Sequence, residues 1–262
     1  MNHERRLARA SELVREAGTL ALASFRSAAL VVESKGVQDY VTAVDRAVEA
    51  LLVDRLQAEF PGDAFLGEEG GLRGAGDGAR WVIDPIDGTV NYTRGLPLWC
   101  ISVALVDAGE IAFGLIYNPV SDEFYCAVRG QGATCNGQPI RVSGVQSPAT
   151  ARIGMGFSYR CPPAVHVRGI ERLLEANCEY ARLGSGALGM AFVADGRFDG
   201  YWEPHINSWD VLAGICLVRE AGGWVCDFLA GDGLFNGNPI LACTPALQPF
   251  LQAQLTTPEA GA

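Results

Sequence analysis

The feature that most limits what this chain can become is the string Trp81-Val82-Ile83-Asp84-Pro85-Ile86-Asp87-Gly88-Thr89. Trp-Val-Ile is a short apolar, β-branched run bounded by turn signals, and it reads as a buried strand. That strand delivers Asp84 to its end. Pro85 disfavours α geometry at Asp84 and fixes its own φ, so the chain turns there. Asp87-Gly88-Thr89 then reads as the start of a short helix with free backbone N–H groups. Two carboxylates three residues apart across such a turn can converge on one point. At ~4 Å and an effective dielectric of ~20 their repulsion is about 4 kcal/mol, so the arrangement calls for a cation. All-oxygen ligands point to a hard one such as Mg²⁺. An isolated Asp-x-x-Asp is more simply a helix cap beside a loop aspartate. An EF-hand is excluded, because its loop needs acids at alternate positions and has no place for Pro85.

A chain of 262 residues is long enough for one large domain or two small ones. Its formal charge of −10 argues against nucleic acid and against an anionic membrane surface as partners. An acidic enzyme acting on a phosphate ester would need local positive charge, and a bound metal is the obvious source. The eight cysteines form no C-x-x-C pair and no zinc-ligand spacing. Cys100, Cys126, Cys216 and Cys243 sit in apolar patterns and read as small buried hydrophobes, which fits a reduced, cytoplasmic setting. No segment reaches the ~18 consecutive apolar residues of a membrane span.

Leu7, Ala10, Val14, Ala17 and Ala21 recur at helical spacing, predicting an amphipathic helix over 4–26. Residues 31–35 read as a strand ending in Lys35, the only lysine among 20 basic residues. A second helix opens at 38–45 and runs to Phe60, with Thr42-x-x-Asp45 in the form of a capping box. Residues 64–66 read as a strand leading to Glu68 and Glu69, and 70–78 as a Gly-rich mobile loop. From 98 to 142 strands follow one another, separated by turn signals such as Asn136-Gly137, and predict an antiparallel sheet. Beyond about Gly144 strands and helices alternate. Strands are expected at 153–157, 180–183, 200–203 and 239–243. Helices are expected at 163–177, after Gly184-Ser185-Gly186 to Ala194, and at 209–221 behind Ser208 as N-cap. The Gly-Ser-Gly turn offers N–H groups for ligand oxygens and is equally an ordinary tight turn. Asp210 in a first helical turn suits the helix dipole without any function.

Taken together, Asp84-Pro85-Ile86-Asp87-Gly88-Thr89 after a strand and Gly67-Glu68-Glu69 before it resemble the inositol monophosphatase family of Mg²⁺-dependent, lithium-sensitive phosphatases. Trp209-Asp210-Val211 followed by Glu220-Ala221-Gly222-Gly223 matches that family's second signature. Gly114-Leu115-Ile116-Tyr117-Asn118-Pro119 and Arg129-Gly130-Gln131-Gly132-Ala133 also resemble family strings. The resemblance covers Glu4 to about Phe250.

The resemblance implies an α/β (α+β) layered sandwich of alternating helix and sheet layers, αβαβα, and a homodimer. Residues 1–145 would form an N-terminal α+β part with the antiparallel sheet and most metal ligands, and residues 146–262 a C-terminal α/β part completing the site. Asp84, Glu68 and the Ile86 carbonyl would hold a first Mg²⁺, and Asp84, Asp87 and Asp210 a second, with a third, weaker ion through Glu68. Thr89 and Asp45 would orient the attacking water, with Lys35 at the place of a family lysine close to the metals. Asp87, Gly88, Thr89, the Gly184-Ser185-Gly186 turn and Glu203 would face the substrate. The implied reaction is hydrolysis of a small phosphate monoester, first of all myo-inositol 1-phosphate. Histidinol phosphate, a sugar phosphate or a phosphoadenosine nucleotide would use the same metal ligands. A metal-binding or partner-binding homologue without catalysis is the reading from a different class. Pro204-His205-Ile206-Asn207 departs from the pattern expected of an inositol specialist, and His205 is a second residue to weigh beside Glu203.

Overall fold

Strands that are apolar on both faces must be covered on both faces, and the middle of this chain is built from such strands. A computed structural model describes residues 3–27, 32–36, 39–74 and 78–255, with backbone alone for 34–36 and 39–40. The chain opens with α1 (His3–Ser24), the hairpin β1 (Val32–Gly36) and β2 (Asp39–Thr42), and α2 (Ala43–Glu59). An eight-stranded sheet follows: β3 (Ala64–Gly67), β4 (Gly71–Arg73), β5 (Arg80–Asp87), β6 (Cys100–Asp107), β7 (Glu110–Asn118), β8 (Glu123–Val128), β9 (Gly132–Cys135) and β10 (Gln138–Pro139). Its order is β10-β9-β8-β7-β6-β5-β3-β4, antiparallel except between β3 and β5. The short α3 (Thr89–Thr93) leaves the end of β5.

A five-stranded sheet is made from β11 (Arg152–Met155), β12 (Glu179–Ala181), β13 (Gly200–Ile206), β14 (Trp224–Val225) and β15 (Asn238–Cys243), in the order β12-β11-β13-β15-β14. The helices α4 (Pro163–Glu175), α5 (Gly186–Ala194), α6 (Ser208–Glu220) and α7 (Gly233–Asn236) connect these strands, and α8 (Gln248–Leu255) follows them.

The two-residue period of the strands sorts their side chains into separate cores. Ile101, Val103 and Leu105 of β6 pack with Leu13 and Val14 of α1 and Val48, Leu52 and Leu56 of α2. Cys100, Ala104 and Val106, on the other face, pack with Leu188 and Met190 of α5 and Leu212 and Ile215 of α6. The second sheet repeats the division. Ile240 and Ala242 of β15 join the α5/α6 core, while Leu241 and Cys243 pack with Leu173 of α4 and Leu251 of α8. The layers are therefore helix, sheet, helix, sheet, helix, the expected αβαβα order. The α5/α6 core draws residues from both sides of position 145. α5 buries almost its whole surface between the sheets, which is why it is apolar all round.

Local signals hold where they are strong. Asn136 and Gly137 have φ of 48° and 76°, the two positive values that a type I′ hairpin turn needs between β9 and β10. Thr42 caps α2 as expected, its Oγ1 accepting from the Val44 and Asp45 N–H groups.

Several boundaries differ from the sequence reading. Asp39–Thr42 is a strand paired with β1 rather than helix. Gly71–Arg73, expected as loop, folds back on β3 as β4, while residues 75–77 lie outside the described set. Ser208 is not the N-cap. Its hydroxyl donates to the Leu234 carbonyl at 2.7 Å, and Asn207 occupies the cap position. β14 and α7 are too short to leave a periodic signal. All eight cysteines are free thiols, with Cys126 only half-buried. Among the described residues no helix is long and apolar enough to cross a membrane.

The middle helix layer approaches the first sheet so closely that one glycine is obligatory. A Cβ on Gly114 of β7 would lie 2.5 Å from the Ala213 carbonyl oxygen of α6. Gly114→Ala should therefore cost about 1–3 kcal/mol through overpacking. The urea midpoint should fall at unchanged m-value, and an unchanged midpoint would show that α6 can move away freely.

Candidate active site

β5 carries the acids, and its pairing with β6 explains how they meet. Asp84 stands opposite Ser102 and Asp87 opposite Cys100, so Pro85 and Ile86 together face the single residue Ile101. One extra residue on one strand is a β-bulge. In a regular strand, positions three apart point to opposite faces. The bulge restores the parity, and Asp84 and Asp87 share the face of Cys100 and Ser102, toward α5 and α6. Proline, which has no N–H for the ladder, is tolerated at such a point. Asp84 Oδ1 accepts the Ile86 N–H at 3.0 Å and ties the bulge together. The strand therefore runs through the motif to Asp87 rather than ending at Asp84.

Asp210 comes to the same place from the first turn of α6. One carboxylate oxygen from each of Asp84, Asp87 and Asp210 lies within 4.8 Å of the others. Asp210 Oδ2 accepts the Asn207 N–H at 3.1 Å, and Ser102 donates to the Trp209 carbonyl at 3.0 Å, joining β6 to the start of α6. Glu68 follows β3. Its N–H donates to the Ile83 carbonyl at 3.2 Å, and its carboxylate is near enough to Asp84 to raise its pKa.

Asp87 also sits at the N-terminus of α5. Its Oδ2 accepts the Ser185 hydroxyl and the Ala187 N–H (2.7 Å), and its Oδ1 the Gly186 N–H (3.3 Å). Ser185 and Gly186, read from sequence as donors to a ligand, thus donate to a side chain of the site. Gly88 joins Asp87 to α3 at φ 92°, and a Cβ there would meet the Leu98 carbonyl oxygen at 2.8 Å, so only glycine fits. Thr89 Oγ1 lies 2.9 Å from the Ile86 carbonyl and 3.3 Å from Asp45 Oδ1. Its single proton serves one of them at a time. Asp45 is fully buried, with Oδ2 held by the Thr42 N–H at 2.8 Å and the Thr42 hydroxyl at 2.5 Å.

Burial, and then the Glu68, Asp87 and Asp210 carboxylates, push Asp84 well above the usual carboxylate range. Burial and the Asp87, Glu68 and Glu203 charges do the same to Asp210. Burial raises Asp87 too, while Ser185, Ala187, Gly186 and Cys100 donors pull it back. Asp45 is raised by its burial against the pull of Thr42. Packed oxygen donors that resist carrying charge together are the environment a hard divalent cation relieves, so the residues present fit one.

Glu203 lies in the middle of β13 opposite Ile240, not at a strand end, and is 8% exposed. Its Oε2 accepts the Tyr201 hydroxyl at 2.7 Å. Burial foremost, with the Asp87 charge, raises its carboxyl to about 7, against the Tyr201 bond and Arg182. His205 Nε2 lies 3.0 Å from the Asn236 carbonyl. Lys35 is in β1, but its side chain lies outside the described residues.

Two residues near the site lie outside the sequence-based expectations. Arg160 donates to Asn207 Oδ1 at 2.7 Å, tethering the residue that caps α6. It comes from a stretch with no periodic signal. Glu49 of α2 accepts from the turn behind Glu68. Its spacing of four residues from Asp45 was a usable signal.

A family model described as the inositol monophosphatase family matches residues 2–257. An inositol-1-monophosphatase from Mesorhizobium japonicum is 38% identical over 233 residues, covering 87% of this chain and 87% of that protein. A Nus factor SuhB from Xylella fastidiosa is 43% identical over 205 residues, 78% of this chain and 74% of that one. Among solved structures, inositol monophosphatase from Anabaena superposes with a TM-score of 0.85 at 33% identity, covering 98% of this chain and 97% of that chain. An IMPase from Thermotoga maritima gives a TM-score of 0.86 at 34% identity, covering 96% and 97%.

The raised Glu203 carboxyl has a consequence for stability. Its folded value of about 7 lies above the ~4.3 of an unfolded glutamate, so the fold favours the protonated form. That contribution is complete below ~4.3 and is lost as pH rises through about 7. In EDTA the urea midpoint should fall between about pH 4 and 7, and Glu203→Gln should flatten part of the fall. An identical pH slope in that variant would remove Glu203 from the titration.

Proposed function

The chain belongs to the inositol monophosphatase family, and from that premise we propose that it is a Mg²⁺-dependent phosphatase of a small phosphate monoester, myo-inositol 1-phosphate foremost. The observation that carries the proposal is the convergence of Asp84, Asp87 and Asp210 within 4.8 Å. Asp84, Glu68 and the Ile86 carbonyl would hold one ion, and Asp84, Asp87 and Asp210 another, with a third, weaker ion through Glu68. When bound, Mg²⁺ supplies Lewis-acid activation of water and neutralises charge on phosphate and leaving oxygen.

The chain's own groups do the rest. The Thr89 hydroxyl, poised between the Ile86 carbonyl and Asp45, orients the water and relays its proton. Asp45, buried and raised, is suited to receive it. The Gly88 and Thr89 N–H groups at the start of α3 receive phosphate oxygens. Glu203, with Oε2 held by Tyr201, offers its other oxygen to a substrate hydroxyl. Sugar phosphates, histidinol phosphate and phosphoadenosine nucleotides would share every metal ligand and differ only in contacts around Glu203 and His205. The relatives named Nus factor SuhB favour a second reading, in which the same fold also serves a partner.

Initial rates on a panel of those phosphate esters, with and without Mg²⁺, test the proposal. Activity should vanish in EDTA and return with Mg²⁺, and full activity in chelator would refute the metal mechanism. Asp210→Asn should keep its fold, lose most of kcat, and be stabilised less by Mg²⁺ than the unaltered chain. In the unaltered chain that stabilisation is about 2.7 kcal/mol at a hundredfold excess over Kd. Metal binding without hydrolysis of any ester would favour the partner reading.

Thr89 separates orientation of water from mere helix packing. Thr89→Ser keeps a hydroxyl and should stay active, while Thr89→Ala should lose roughly 10²–10⁴-fold in kcat. Equal rates for the two variants would take Thr89 out of the chemistry.

A further inference from the structure

α2 reaches the site twice. Asp45, in its first turn, faces Thr89, and Glu49, four residues later on the same face, faces the turn that carries Glu68. Glu49 is 3% exposed, and both its oxygens are engaged by consecutive N–H groups. Oε2 accepts from Glu69 at 2.9 Å and Oε1 from Gly70 at 2.7 Å. Two glycines clear the space for this carboxylate. A Cβ on Gly67 would collide with Oε2, and one on Gly70 would lie 2.6 Å from Oε1. Gly67-Glu68-Glu69-Gly70 is therefore a turn shaped around a buried anion, and Glu68 stands inside it.

We infer that Glu49 is a positioning residue for Glu68: its carboxylate clamps the Glu69 and Gly70 N–H groups and so fixes Glu68 beside Asp84 for metal binding. This rests on the proposal that Glu68 and Asp84 hold Mg²⁺, and Glu49 is not itself one of the groups assigned to the ion. Glu68 is anchored on its upstream side by its own N–H on the Ile83 carbonyl at 3.2 Å, and Glu49 supplies the downstream anchor. With both in place the ligand is presented in one orientation. With the second removed, the turn between β3 and β4 gains freedom that metal binding must take away again. Outer partners of metal ligands change metal affinity by roughly 10–100-fold when lost.

The test is a calorimetric Mg²⁺ titration of the full chain without substrate, for the unaltered protein, Glu49→Gln and Glu49→Asp, with urea midpoints in EDTA alongside. Gln leaves one acceptor and turns an NH₂ toward a backbone N–H. Asp keeps the charge but withdraws it by one methylene, so a loss shared by both variants cannot be Coulombic. Both should raise the Mg²⁺ Kd about tenfold or more. Both should raise the Mg²⁺ concentration for half-maximal rate by a similar factor, and recover most of kcat at saturating Mg²⁺. Unaltered affinity in either variant, or a lowered urea midpoint with unaltered affinity, would overturn the inference. If the Gln variant does not fold, the Asp variant carries the test. An unaltered chain that binds Mg²⁺ but hydrolyses no ester would overturn the proposed function alone, since the affinity comparison still decides Glu49. An unaltered chain that binds no Mg²⁺ would overturn both.

Discussion

Like charges brought together out of water are the constraint to which the rest of the chain answers. Asp84, Asp87 and Asp210 approach within 4.8 Å, and the first two are almost wholly buried. At such range each pair repels by a few kcal/mol even at an effective dielectric of ~20. The protein offsets part of this with its own donors. Asp87 accepts from Ser185, Gly186 and Ala187 at the positive end of α5, Asp84 from the Ile86 N–H, and Asp210 from the Asn207 N–H. What remains is a site whose acids resist ionising together, which is a driving force for taking up a cation.

Holding such a cluster together requires elements that cannot retreat from one another. α5 and α6 lie between two sheets, and the core that encloses them includes Val82 and Ala104 from one sheet and Ile240 and Ala242 from the other. The helix N-termini therefore present Ser185 and Asp210 to the bulge of β5 from fixed positions. α2 provides a second rigid support, with Asp45 turned to Thr89 and Glu49 to the turn behind Glu68. Groups that must stay within a fraction of an ångström of a productive arrangement are better carried by helices and strands than by loops. Here even Glu68, an acid on a turn, is tied back to a helix.

Much of this was legible in the chain. The spacing of Leu7, Ala10, Val14, Ala17 and Ala21 found α1 to within a residue or two, and Asn136-Gly137 found its hairpin. Thr42-x-x-Asp45 marks the cap of α2, although the extended residues before it carry no clear signal of β2. Pro85 signals the end of a strand, because it fixes its own φ and its predecessor avoids helix. The strand nevertheless resumes at Asp87, since β6 continues on the other side of the bulge. Ser208 was a reasonable cap by residue type, yet its hydroxyl found the Leu234 carbonyl in a distant segment.

The order of residues along the chain sets which chemical groups are available and which local shapes they favour. It held oxygen donors spaced for a hard cation, glycines where side chains would collide, and apolar periods that select helix or strand. Those properties act over a few residues, so they can be read in order along the chain. The tertiary structure alone decided that Asp84 and Asp87 share a face, because side-chain parity in a strand depends on its register with a neighbour. It also decided that the Ser185 and Gly186 donors meet Asp87, and that Glu49 fills the hollow left by Gly67 and Gly70. Each of these joins residues far apart in the chain, and no local preference records which distant group will arrive.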